Sequence, residues 1–176
     1  MGNLALLFDT ETTGLFRYDR RADQAGQPRL CSIAAELIDI DTREVVDSMH
    51  RLCDGSDFTR EDWMKAEEPH GAFEYNHLSA SLMMAEGVPV ETILHEFATL
   101  EDRISEACGY VAYVADFDLK VMRGERRRHH RDDRYNFRPR FDPKEEMKHL
   151  LGLTRGAKPS ENVRGTVRRE DPAHRQ

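Results

Sequence analysis

At 176 residues the chain has the length of one domain, enough to bury a core without disulfide or metal staples. Charged residues make up 34% of it and no apolar run nears the roughly 18 residues of a membrane span, which excludes a helical membrane protein. The net charge of −7 is unevenly held: residues 1–118 carry 9 Lys/Arg against 24 Asp/Glu, a balance of −15, and residues 119–176 carry 17 against 9, a balance of +8.

The first element is a strand, Leu4 to Asp9, whose apolar run leads into Asp9-Thr10-Glu11-Thr12-Thr13-Gly14. Side chains at i and i+2 of a strand share a face, so Asp9 and Glu11 project together. Two carboxylates so placed repel, and burying them unpaired is costly, so a cation is expected between them. Magnesium or manganese suits these hard oxygen donors. A polar connection, Arg17 to Gln27, leads to a second strand, Pro28 to Asp39, and Glu44 to Leu52 reads as a third. Residues 55–77, with Trp63, Pro69 and Gly71 among charges, read as an irregular surface region in which Trp63, Phe73 and Tyr75 pack the loop.

Two helices follow. Ser79 to Glu86 is short and stops at Gly87; Glu91 to Ala107 carries Ile93, Leu94, Phe97, Leu100 and Ile104 as an amphipathic stripe behind Pro89. Gly109 to Ala115 reads as a strand, Phe117 to His130 as a helix and Pro143 to Leu151 as a further short helix. From Gly152 onward the apolar periodicity is lost, so residues 1–152 form the expected domain and 153–176 a basic, loosely ordered tail. Early strands, helical crossovers and a later strand predict an α/β layer with a mixed sheet.

By themselves, Asp116 reads as a cap of the helix it precedes, Arg126 to Arg128 as a solvated helix end, and His129 and His130 as diverging, exposed side chains. The three cysteines, Cys31, Cys53 and Cys108, are odd in number and without a C-x-x-C pair. That spacing opposes a zinc knuckle or a disulfide framework and, with no signal-peptide layout at the N-terminus, predicts a reduced, cytoplasmic setting.

Several of these segments together resemble one family. Phe8-Asp9-Thr10-Glu11-Thr12-Thr13-Gly14-Leu15 is similar to the first motif of the DEDD superfamily of 3′-5′ exonucleases, which includes the proofreading subunit of bacterial DNA polymerase and has a ribonuclease H-like fold. Pro28 to Asp39 resembles the family's second strand. Asn76-His77-Leu78-Ser79 and Gly87-Val88-Pro89-Val90 resemble its Asn/His-Gly-Ile-Thr and Gly-Val-Pro pattern. Val111-Ala112-Tyr113-Val114-Ala115-Asp116-Phe117-Asp118-Leu119 resembles the second motif, usually His-Asn-x-x-Phe-Asp-Leu. The likeness runs from about residue 3 to 150.

The resemblance implies a mixed sheet flanked by helices, and Asp9, Glu11 and Asp118 as ligands of two divalent ions, Mg2+ or Mn2+, roughly 3.5–4 Å apart. It implies Thr12, Thr13 and Asn76 as the substrate seat, with His77 beside it, and a single-stranded nucleic-acid 3′ end, DNA the favoured form, as substrate. A polymerase or another replication or repair protein is an implied partner. Two departures qualify the activity. Tyr113-Val114 stands where the family has His-Asn, and the closing His-x4-Asp or Tyr-x3-Asp is missing: none of eight histidines and none of five tyrosines has the required Asp. The expectation is therefore an impaired 3′-5′ exonuclease, or alternatively a degenerate module that grips nucleic-acid ends or a polymerase-like partner without cutting. A phosphatase of the haloacid dehalogenase class is disfavoured, because the second acid is Glu and no lysine follows a downstream strand.

Overall fold

A computed structural model describes residues 2–132 and 138–144. Strand β1 (Leu4–Thr12) runs at the middle of the sheet, antiparallel to β2 (Leu30–Asp39), which is antiparallel to β3 (Glu44–Leu52). On its other side β1 pairs in parallel with β4 (Tyr110–Val111), and β4 with β5 (Arg140–Phe141), giving the order β3-β2-β1-β4-β5. The expected mixed α/β sheet is present. From Leu6 onward β1 keeps a period of two: Leu6, Phe8, Thr10 and Thr12 are buried while Leu7, Asp9 and Glu11 are exposed. The two acids thus share a face as expected, but it is the open face of the strand rather than a buried one.

Helix α4 (Val90–Glu101) lays Ile93, Leu94 and Phe97 on the covered face, all fully buried. Phe97 meets Phe8 edge-on with ring centroids 5.2 Å apart, and Phe8 meets Tyr110 at 6.0 Å. Truncating Phe97 to Ala would cost about 3–5 kcal/mol by opening a cavity under β1. Helix α5 (Ala115–Arg128) forms the crossover between β4 and β5 and buries Leu119, Val121 and Met122.

The 55–77 region differs from expectation. It contains α1 (Arg60–Glu67) and α2 (Ala72–Asn76). Thr59 caps α1 through a reciprocal pair in which its hydroxyl accepts from the Asp62 amide and the Asp62 carboxylate accepts from the Thr59 amide. Trp63 packs on Phe58 and Phe73 at 4.9 and 6.3 Å, as the loop-packing reading had it, but Tyr75 is 71% exposed. Helix α3 (Ala80–Glu86) is capped by Ser79 and closed at Gly87, where a Cβ would come within 2.5 Å of the Cys53 and Asp54 backbone. α4 stops at Glu101, short of Ala107, although Ile104 stays buried. β4 is only two residues long because Val114 turns the chain, and β5 had no forecast. The helix expected from Pro143 is described only at residues 143–144; the domain boundary at 152 and the tail 153–176 lie outside the described residues.

Candidate functional site

The end of β1 and the first turn of α5 meet at Thr10. Between the outward Asp9 and Glu11, Thr10 turns inward, and both its amide (3.0 Å) and its hydroxyl (2.7 Å) donate to Asp118 Oδ1. Asp118 is 3% exposed. One carboxylate oxygen is therefore fixed against the strand that bears the other two acids. Asp9, Asp118, Tyr18, Tyr113 and Phe117 border a hollow of about 450 Å3.

All three acids are held above their ordinary range. Burial raises Asp9, against a hydrogen bond from the Thr10 amide. Burial raises Glu11 and the charge of Asp9 adds to it, while the Asn76 side chain opposes through a hydrogen bond. Burial pushes Asp118 up to about 6, with the Thr10 hydroxyl working against it and Asp9 repulsion adding to it. None of the three forms an ion pair among the described residues, so the cleft concentrates negative charge; Lys65, on the wall of the hollow beside Glu11, is paired with none of them. Hard carboxylate oxygens that repel one another and lack an ion-pair partner suit a divalent cation.

A second hollow, about 850 Å3, opens beside Glu11 and is walled by Thr12, Thr13, Gly14, Lys65, Tyr75 and Asn76. Asn76 closes α2, with His77 in the left-handed region (φ 58°) turning the chain, and its amide also reaches the Thr12 carbonyl at 3.5 Å. The two threonines are less free than the sequence implied. Thr12 donates its hydroxyl to the Gly14 carbonyl at 2.7 Å. Thr13 donates its amide to the Arg29 carbonyl (3.0 Å), and its hydroxyl oxygen accepts from the Arg29 amide (2.9 Å). Thr10 and Lys65 were missed by sequence reasoning, and Tyr75, read as packing its loop, instead stands exposed on the wall of this hollow. Thr10 lay inside the quoted motif, but nothing local marks it as the anchor of Asp118.

Val114 enters α5 at φ 99°, ψ 52°, a left-handed conformation strained for a β-branched residue. The Asp142 carboxylate braces the turn by accepting from the Ala115 amide at 3.2 Å. Asn, which stands here in the motif this segment resembles, tolerates that region; this chain holds Val in it. Asp116 makes no cap hydrogen bond; it pairs with Lys120 at 2.5 Å and Arg140 at 3.1 Å.

The far end of α5 corrects two further expectations. Arg126 is buried and paired with Glu101, and Arg128 pairs with Glu125 at 2.9 Å, so this helix end is not simply solvated. The His129 ring sits between Asp57 (3.1 Å) and Glu91 (3.2 Å), largely covered. Among the described residues, Asp57, Glu125 and His129 are the set whose ligand atoms all lie within 4.8 Å of one another; Asp9, Glu11 and Asp118 are spread more widely. The tighter set is nevertheless filled: the Arg29 guanidinium donates to Asp57 and to both oxygens of Glu125. It is an ion-pair cluster with its cation built in.

No protein-family model matches the chain, and no curated protein matches it in sequence. Solved structures do match. E. coli exonuclease I in complex with a dT13 oligonucleotide superposes with a TM-score of 0.63 at 18% identity, over 85% of this chain and 30% of that one. A zinc-bound form of the E. coli exonuclease I–single-stranded DNA complex gives 0.62 at 16%, over 87% and 30%. An exonuclease I/SSB-Ct complex gives 0.61 at 16%, over 87% and 31%. The chain thus spans about a third of the length of these proteins, and the likeness shows the fold alone, the expected ribonuclease H-like mixed α/β sheet flanked by helices. No helix among the described residues is long and apolar enough to cross a membrane.

Proposed function

We propose that the chain is a 3′-5′ exonuclease domain acting on single-stranded nucleic acid, DNA the favoured form, with impaired turnover. The observation that carries this reading is the convergence of Asp9, Glu11 and Asp118 at one strand end, with Asp9 repelling the other two and no ion pair to any of them among the described residues. These three residues would hold two divalent ions, Mg2+ or Mn2+, which when bound supply an activated water and stabilise the leaving oxygen. Thr10 fixes the orientation of Asp118, and Asn76, bonded to the Thr12 carbonyl, stands beside Glu11 on the wall of the hollow. The hollow beside Glu11 seats the terminal nucleotide, with the exposed Tyr75 and Leu15 at its rim offering faces for a base. The sequence lacks the His-x4-Asp or Tyr-x3-Asp spacing that would pair a general base with a fourth carboxylate, a role typically worth about 10²–10⁴-fold, which is the order of the impairment proposed.

The second reading is a degenerate module that binds ends, or a polymerase-like or other replication or repair partner, without hydrolysis; Tyr113-Val114 in place of His-Asn favours it. A 3′-labelled single-stranded oligonucleotide incubated with Mn2+ or Mg2+ separates the two. Slow release of mononucleotides, dependent on the ion and lost in Asp9→Asn, is expected. Salt-sensitive binding with no cleavage at any enzyme concentration would replace the first reading by the second. A cytoplasmic location accords with the three free thiols, of which Cys31 and Cys53 are buried, burial pushing Cys53 up to about 12.

A further inference from the structure

Lys65 walls two hollows at once. One is the Glu11 hollow; the other, about 330 Å3, is bordered by Arg17, Arg20, Gly26, Glu61, Asp62 and Lys65. The acidic body has nine Lys/Arg in residues 1–118, and three of them line this second hollow. Chance solvation does not explain how they are held. Gln27, 2% exposed, clamps the Arg17–Gln27 loop: its Oε1 accepts from the Arg17 amide at 2.9 Å and its Nε2 donates to the carbonyls of Arg17 (2.7 Å), Arg21 (3.1 Å) and Arg20 (3.3 Å). A loop so fixed presents Arg17 and Arg20 at defined positions.

Lys65 is half-buried in the last turn of α1 and leans on Gly14, where a Cβ would stand 3.1 Å from its Cε and 3.3 Å from its ammonium. The glycine that follows the acidic motif therefore makes room for a cation between the two hollows. Arg17 and Lys65 have no ion-pair partner among the described residues, and Arg20 has only the exposed Asp19 at 4.0 Å. Of the acids on the wall, Asp62 is already engaged by Thr59 and, at 3.7 Å, by Arg29, leaving the exposed Glu61 as the opposing charge. Three cations against one free acid make a site for a chain of anions.

We propose that Arg17, Arg20 and Lys65 form a phosphate-tracking groove that carries the single strand away from the nucleotide seated at Glu11. This rests on the nuclease reading above and extends it from the terminal nucleotide to the phosphates behind it. A groove that begins one hollow away from the acids is reached by a long strand and not by a very short one, so its signature is length dependence. Removing one phosphate-neutralising cation lowers the salt slope of single-strand binding by about 0.7.

The test is fluorescence anisotropy with labelled dT12 and dT3, in Ca2+ to hold off hydrolysis. Arg17→Gln/Arg20→Gln is expected to weaken dT12 by at least about tenfold, to lower its salt slope by about 1.4, and to leave dT3 within about twofold. Lys65→Gln, on the shared wall, weakens both. Retained dT3 binding and an unchanged thermal melt certify the fold of the double variant. Equal losses for dT12 and dT3, or dT12 unchanged, would overturn the groove while leaving the nuclease reading standing. Displacement of dT12 from the wild type by about 10 mM inorganic phosphate at constant ionic strength would make this a free-anion site and also overturn it. Wild-type protein that binds neither oligonucleotide brings down both proposals.

Discussion

Helix α5 buries two acids seven residues apart on one face, Asp118 and Glu125, about 10 Å along its axis, and surrounds them in opposite ways. Glu125 is enclosed by cations: Arg29 bonds both its oxygens, Arg128 adds a further hydrogen bond, and the Leu30 amide another. Asp118 accepts from the amide and hydroxyl of Thr10 on one oxygen and meets no cation among the described residues, with Asp9 pressing on it from beside. The same carboxylate chemistry, on the same helix, is thus spent on holding β2 and Asp57 to α5 at one end and left uncompensated at the other. A buried acid with its cation built in is a structural joint; one without it is, on the function proposed above, open to a cation from outside.

The sharpest way to break this contrast is Glu125→Ala. It leaves Arg29 buried with half its partners and should cost roughly 3–5 kcal/mol in urea unfolding. A cost under about 1 kcal/mol would mean that the cluster is not a joint. Asp118→Asn should do the reverse. The amide keeps the Oδ1 contacts with Thr10 and removes a buried charge, so in EDTA at pH 7.5 the variant gains on the order of 2 kcal/mol. Because Asp118 is held at about 6, above an unfolded value near 3.8, the native state binds its proton more tightly between those limits. Wild-type stability therefore falls as pH rises from about 4 to 6 relative to the variant, and the gap closes again below about 4. Saturating Mn2+ restores the wild type at pH 7.5, by about 2.7 kcal/mol at a hundredfold excess over Kd, and does little for the variant. The smallest effect concerns the entry to the same helix: Val114→Asn relieves a left-handed strain and should add about 1 kcal/mol, read from the same urea curves, with no change in the response to Mn2+.

Much of this arrangement was legible in the chain. β3 spans Glu44–Leu52 as read, because its ends are marked by a tight turn and a change of composition, and α3 begins and stops at Ser79 and Gly87, both local signals. α1 escaped notice because its eight residues are mostly charged and its inward face is no longer than Trp63 and Ala66; its Thr59/Asp62 capping pair was the available clue. β5 had no local clue at all, since Arg140 and Phe141 are a strand only by pairing with β4. Arg126 and His129 were misjudged for a related reason: their acids, Glu101, Asp57 and Glu91, lie 25 to 72 residues away.

The sequence by itself determined the face shared by Asp9 and Glu11, since the period of two needs nothing beyond the strand, and it nominated Asp118 through the motif that surrounds it. Tertiary structure alone decided what each charge meets. It tied Asp118 to Thr10 across 108 residues, gave Glu125 its arginine across 96, and set Lys65 against Gly14. Whether a buried carboxylate is neutralised depends on which distant side chain the fold delivers to it, and no local pattern of residues encodes that.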